Sequence, residues 1–219
     1  MTSVKVNIGC GPQVAADWIN YDSSLHVFLC KYRFIKKILY SMRLISKQVY
    51  ELSWPSDLIK RIDLRNGLPL RNETVDFVYC SHFLEHLIQN DAKKLLKECH
   101  RVLKPGCWMR IAVPDLRVIA SKYLERDIDF VLFNVSSKAD LSNAFINSLN
   151  LSDNRPFLER FLFPGSLHHC MYDYDSLAKL LTNCGFSVIE RRRYREGITP
   201  DIDLLDNRPE ESVYVEARK

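Results

Sequence analysis

Short apolar, β-branched runs alternate with helix-spaced apolar positions from one end of the chain to the other. Val4 to Ile8 reads as a strand, followed by "WINYD" (Trp18 to Asp22) and "IKRIDL" (Ile59 to Leu64). "TVDFVYC" (Thr74 to Cys80) alternates and is rich in β-branched and aromatic residues, the pattern of a half-buried strand. Leu84, Leu87, Ile88, Leu95, Leu96, Cys99, Val102 and Leu103 then recur at steps of three and four, which predicts a helix that starts near His82 and is stopped by Lys104-Pro105-Gly106. "CWMRIAV" (Cys107 to Val113) is a fifth strand ended by Pro114. Near the C-terminus, Asp175 is placed to cap a helix "SLAKLLTNC", and Gly185 suits the left-handed turn at its exit. Strands "FSVIE" and "SVYVEA" follow. This rhythm predicts a doubly wound, mostly parallel α/β sheet covered by helices on both faces.

Two stretches fit the rhythm poorly. The expectation is one domain over 1–219 with a basic helical insertion at about 25–58 and a substrate cap at about 116–168, both on the open end of the sheet. In the first, Phe28, Tyr32, Ile35, Leu39, Met42, Ile45 and Val49 step by three or four, while Arg33, Lys36, Lys37, Arg43 and Lys47 gather on another face. Such a segment can pack over the edge of a binding site, rest on anionic lipid, or form a lid over an acidic substrate.

Composition adds bounds. With 219 residues, 47% of them hydrophobic, the chain can bury one real core. Ser23 to Tyr50 holds six Lys or Arg and no acid, so the net charge of +4 is concentrated there. The seven cysteines contain no CxxC pair and fall partly in apolar runs, as buried thiols of a reducing compartment do. Lys5 and Asn7 interrupt any leader-like apolar run, and no segment approaches the ~20 apolar residues of a spanning helix, so a cytoplasmic location is expected.

The candidate chemistry begins at "VKVNIGCGP", where the first strand runs into Gly9 and Gly11. In a doubly wound sheet, ligands sit at the carboxyl ends of strands where strand order reverses. The loop "GCGP" and the loop "SHFLEH" after the fourth strand would flank one such crevice, with Asp22 and Asp63 at two further strand ends. A dinucleotide site wants GxGxxG opening a full helix toward the pyrophosphate. Here Val14 replaces the third glycine, and ten residues separate Gly11 from Asp22, leaving room for little or no helix. A nucleoside without phosphates fits better; an NAD-binding oxidoreductase is the lesser alternative.

"VNIGCGP", "WINYD", "LPLRNETVDFVYCSHFLEHL" and "LLKECHRVLKPGCWMRIAVPDL" resemble, in order, the motifs of class I S-adenosylmethionine-dependent methyltransferases, and "HHCMYDYDSLAKLLTNCGF" resembles the ending of a small bacterial branch of predicted methyltransferases. The resemblance implies a Rossmann-like, seven-stranded sheet with the last strand antiparallel. It implies S-adenosyl-L-methionine as cofactor, with Gly9 and Gly11 along its methionine part, Asp22 at the ribose, Asp63 and Leu64 beside the adenine, and Ser81, His82 and Phe83 at the sulfonium. With Asn7, Cys10 and His86 from the same two loops, these form the expected cofactor-binding set. The sequence departs from the branch at Ala16-Asp17, where glycine is usual, and at Cys170, where tryptophan is common.

Methyl transfer from a sulfonium is an in-line displacement, so the protein mainly aligns the acceptor and excludes water. A hydroxyl acceptor also needs a base, for which histidine is suited. His82 and His86, four apart on the expected helix, would share a face. The catalytic candidates are His168 or His169 with Asp173, and His82. Adjacent histidines point apart and no CxxC accompanies them, so no metal is expected. The acceptor expected is a small molecule, through the oxygen of a sugar or lipid-linked sugar; for 25–50, packing over the cofactor edge is favoured and peripheral membrane contact is the alternative. The competing class is a non-catalytic S-adenosylmethionine-binding protein. Nucleic acid is not expected, since "SHFLEH" stands where many base methyltransferases carry Asn-Pro-Pro-aromatic, although "RRRYR" at Arg191 to Arg195 is basic.

Overall fold

The computed structural model describes residues 3–127, 145, 149, 167–209 and 211–219. Strands β1 (Lys5–Ile8), β2 (Ile19–Asp22), β3 (Ile59–Arg61), β4 (Val75–Ser81), β5 (Leu103–Pro114), β6 (Val188–Arg192) and β7 (Ser212–Arg218) make one sheet in the order β3-β2-β1-β4-β5-β7-β6. β3, β2, β1, β4 and β5 pair in parallel, and β7 runs antiparallel to both of its neighbours. The reversed seventh strand separates this sheet from the dinucleotide fold, whose strand order ends on a parallel strand.

β1 lies in the middle because it is apolar enough to be buried on both faces; Val6 and Ile8 are fully buried. Its register sets Ile8 beside Tyr21 of β2 and Cys80 of β4, so the three strands end together. That shared edge, where the order reverses on either side of β1, positions the site.

Helix α1 spans Leu25–Lys31, α2 Arg33–Ser41 and α3 Lys47–Glu51, all between β2 and β3; α4 spans Gln89–Val102 and α5 Leu116–Leu124. α6 spans Tyr174–Asn183 and α7 Ile202–Leu205. α4 buries Ala92, Leu95, Leu96, Cys99 and Val102 as one stripe against the main core, as the spacing predicts.

Several local expectations differ from the structure. The helix expected from His82 begins only at Gln89. His82 has φ 49°, in the left-handed region, and Leu84–His86 is an isolated 3₁₀ turn, so His82 and His86 do not share a helical face. α6 is capped by Asp173 rather than Asp175: its carboxylate accepts from Ser176 N, and the Ser176 hydroxyl accepts from Asp173 N.

The basic segment is three short helices, not one. The chain breaks at Tyr32, so a single set of three- and four-residue steps spans several axes. Tyr32 and Met42 are therefore exposed, while Lys36 is buried with its ammonium on the carbonyl of Leu52. Of the stretch expected as a cap, Leu116–Leu124 is α5, and most of the remainder lies outside the described residues. All seven cysteines are free thiols, with Cys10, Cys80, Cys99 and Cys184 buried. Among the described residues no helix is long and apolar enough to cross a membrane.

Candidate functional site

The turn that leaves β1 is built without a helix. Gly9 (φ 62°) and Gly11 (φ 53°) both take the left-handed conformation, and the chain reaches β2 through turns alone. Cys10 N donates to Tyr21 O (3.1 Å), and Gln13 N to Cys10 O (3.0 Å). Beneath the turn, the buried amide of Asn7 donates to Gln13 O (2.9 Å) and to Asn20 Oδ1 (3.2 Å). Asn7, expected at the cofactor, thus supports the loop from below. The gap between Gly11 and Asp22 holds no helix dipole for a pyrophosphate, as the short spacing predicts.

Asp22 closes the crevice at the end of β2. Its carboxylate accepts from Gly11 N (2.8 Å) and Ser24 N (2.7 Å), which ties the glycine turn to the second strand. Burial pushes this carboxyl above its ordinary range, and the amides of Ser24 and Gly11 with the charge of Arg61 only partly offset that. Each oxygen keeps a second lone pair for a diol. Burial, and then the charge of Asp22, push the Cys10 thiol far up, so it is no nucleophile.

Two expected adenine neighbours are placed differently from one another. Asp63 caps the 3₁₀ turn Leu64–Asn66 and forms a forked pair with Arg65 (2.9 and 2.8 Å), which holds its carboxyl low. Leu64 is buried in the main core rather than presented to a ligand. On the other side of β1, Phe83 lies against Gly9 so closely that a Cβ there would run into its ring. Gly9, Gly11, Asp22 and Phe83 are therefore brought to one edge, with Ser81 at the end of β4.

Past Phe83 the chain enters a second cluster. Glu85 is fully buried, with His82 Nδ1 3.3 Å from its Oε1. Burial pushes the carboxyl up, but contact with His82 and the charges of His82 and His86 bring it below the ordinary range. His82 Nε2 shares a hydrogen bond with Ser212 Oγ (2.7 Å), and His86 Nδ1 sits 2.9 Å from Leu167 O.

The segment entering α6 docks on the same residue, since His169 N and Cys170 N both donate to Glu85 O (2.8 and 3.2 Å). His168 lies edge-on to His86, ring centroids 4.9 Å apart, and burial lowers its pKa. His169 is exposed. Asp173, expected as its partner, uses its carboxylate on Ser176 at the start of α6. The carboxylate that faces the histidines is Glu85. An acid inside the apolar run "FLEHL" was the available signal for it; Ser212, 130 residues from His82, had none.

Comparison with known proteins agrees with this geometry. A family profile described as "Methyltransferase domain" matches residues 6–111, from β1 to β5. A solved S-adenosylmethionine-dependent methyltransferase from Archaeoglobus fulgidus superposes with a TM-score of 0.52 at 15% identity, over 99% of this chain and 86% of its own. An S-adenosylmethionine-dependent methyltransferase from Mesorhizobium loti gives 0.47 at 16% identity, over 99% and 90%. No curated protein matches the chain. The chain thus carries a methyltransferase-domain profile from β1 to β5, on a sheet that has the fold of solved S-adenosylmethionine-dependent methyltransferases.

Proposed function

We propose that the chain transfers a methyl group from S-adenosylmethionine to a hydroxyl oxygen of a small molecule, with His82 as the proton acceptor and Glu85 as the group that orients it. The observation that carries this reading is the placement of His82. It directly precedes Phe83, which touches the glycine turn, and it stands between a buried carboxylate and a hydroxyl. A carboxylate 3.3 Å from one ring nitrogen can orient the ring while the other nitrogen exchanges Ser212 for the acceptor, and such contacts commonly tighten when substrate arrives. In this reading the acceptor hydroxyl would replace the Ser212 hydroxyl at Nε2.

In this reading the cofactor lies across Gly9, Gly11, Asp22, Ser81 and Phe83, with Asp22 accepting from the ribose. His168 and His86 line the acceptor side. A sugar or lipid-linked sugar suits a site with a carboxylate and several imidazoles. One observation favours a membrane-borne acceptor: Phe34 and Ile38 on α2, and Met42 at its C-cap, stand exposed beside exposed Arg33 and Lys37.

The test uses an isotope-labelled methyl donor offered with cell extract. Wild-type protein yields a labelled product, and His82→Ala and His82→Gln lower its formation by roughly 10²- to 10⁴-fold while donor binding is retained. Donor binding without any labelled product would instead identify a non-catalytic binding module.

A further inference from the structure

The two oxygens of Glu85 and Nδ1 of His168 are buried without a hydrogen-bond partner. Few groups in a folded protein are left so, because burying a carboxylate oxygen without a hydrogen-bond partner forfeits its hydration with nothing in return. His82 lies beside Oε1 but is not aligned to donate to it.

Three side chains at this place are arranged as ligands. One donor atom from each of Glu85, His86 and His168 lies within 4.8 Å of the other two. His86 has its Nδ1 on the Leu167 carbonyl (2.9 Å), which makes that nitrogen the donor and leaves Nε2 with the free lone pair. His168 Nδ1 is buried without a partner, so that nitrogen is available as a donor atom. The His86 ring is thus held in the tautomer that a metal requires, by the kind of carbonyl contact that usually does so. Ligands about 2.0–2.2 Å from an ion stand roughly 3.3 Å apart at tetrahedral angles, so small side-chain rotations close the cluster.

We propose that Glu85, His86 and His168 form a binding site for one divalent transition-metal ion, which clips the segment before α6 to the loop after β4. Two imidazoles and one carboxylate select Zn²⁺, Mn²⁺, Fe²⁺ or Co²⁺ over Mg²⁺ or Ca²⁺. Three protein ligands leave a position open. On the acceptor reading above, on which this one clause rests, that position takes the acceptor oxygen beside His82. The ligands come from residues 85–86 and 168, so no short spacing motif announces them.

The test needs neither cofactor nor acceptor. Chelator-stripped full-length protein is titrated with Co²⁺ alone near neutral pH and followed by visible absorption. The expected result is one Co²⁺ per chain, with ligand-field bands that one equivalent of Zn²⁺ abolishes. Affinity falls by at least about 10- to 100-fold in His86→Ala, His168→Ala and Glu85→Gln, and stays unchanged in His169→Ala. Circular dichroism checks each variant's fold; His168→Gln serves if Glu85→Gln does not fold. Absence of bands at saturating Co²⁺, or equal affinity in folded His168 variants, overturns the site. Parallel titration with S-adenosylhomocysteine separates the two readings. Protein that binds the nucleoside but no Co²⁺ refutes only the metal site, and the converse refutes only the cofactor crevice.

Discussion

The ring of Phe83 occupies the space that a side chain on Gly9 would need. The loop after β4 is thereby pressed onto the turn after β1, and the left-handed φ of 62° at Gly9 makes that approach possible. Gly9→Ala is expected to lower the melting temperature, through about 1–2 kcal/mol of backbone strain plus displacement of the ring, and to weaken S-adenosylhomocysteine binding at least tenfold. Adding Phe83→Ala should recover part of the stability, since it removes the clash but not the strain. Calorimetric titration and thermal unfolding of the two variants check this; full recovery would mean that the backbone conformation is unimportant.

Asp22 joins the same turn to β2 through Gly11 N (2.8 Å). If it also holds the ribose, Asp22→Ala weakens S-adenosylhomocysteine binding by the ~1.5–3 kcal/mol of a hydrogen bond to a charged group. The diol donates to the ionised form, whereas burial raises the carboxyl's pKa in the free protein. Affinity should therefore decline as pH falls through a value above the ordinary carboxylate range, and Asp22→Ala should flatten that dependence. Titrations across a pH series measure both effects, and an affinity equal to wild type would remove Asp22 from the site.

The sheet was legible because each strand is a β-branched or aromatic run bounded by turn residues, and the glycine spacing correctly excluded a helix before β2. The loop after β4 was misread for a physical reason. Apolar steps continue unbroken from Leu84 to Leu103, but the left-handed φ at His82 and extended ψ values at Leu87 and Ile88 restart the helix at Gln89. Nothing in residue type announces those torsions. The cap of α6 was legible and missed: Asp173 and Ser176 have the spacing of a reciprocal capping pair. Glu85 and His168 come together from distant segments, so periodicity could not reveal their proximity.

Arg110 is a buried cation on β5 that ties down the chain between β6 and β7. It donates to Asp206 (2.6 and 3.1 Å) and to the carbonyls of Arg193 and Glu196 (both 3.0 Å), and lies 3.5 Å from Glu216. Arg110→Ala leaves the buried carboxylate of Asp206 without its cation, while Glu216 keeps Arg192 (2.9 Å), and should cost about 3–5 kcal/mol, read by denaturant unfolding. A loss below about 1 kcal/mol would show that solvent reaches the cluster.

Glu216 gives this network a pH signature. Burial pushes its carboxyl up, but the amides of Ile198 and Thr199, the Thr199 hydroxyl and Arg110 bring it below the ordinary range. A depressed carboxyl contributes stability above the unfolded pKa of about 4.3, and that contribution is lost as pH falls through the lower folded value. Melting temperature should thus fall on acidification below about pH 5, and less steeply in Glu216→Gln, whose contribution is already missing. Identical slopes in the two proteins would assign the acid loss to other carboxylates, of which Asp76, paired with Lys104 at 2.7 Å, is the next candidate.

The surface of α2 makes the last prediction. Phe34, Ile38 and Met42 recur every four residues and are 65%, 54% and 63% exposed, while the opposite side packs Ile35 and Leu39 against Leu29 and Ile45. An exposed apolar row flanked by cations, in a segment without acids, matches the charge and polarity of an anionic bilayer surface. The protein should sediment with phosphatidylserine-containing vesicles at low ionic strength, lose that binding as salt rises, and ignore zwitterionic vesicles. Phe34→Glu with Ile38→Glu should abolish binding without changing the melting temperature by more than a degree or two, since neither side chain is buried. Salt-insensitive behaviour, or binding retained in the double variant, would leave α2 as a solvated cover of the sheet edge and turn the acceptor toward a freely diffusing molecule.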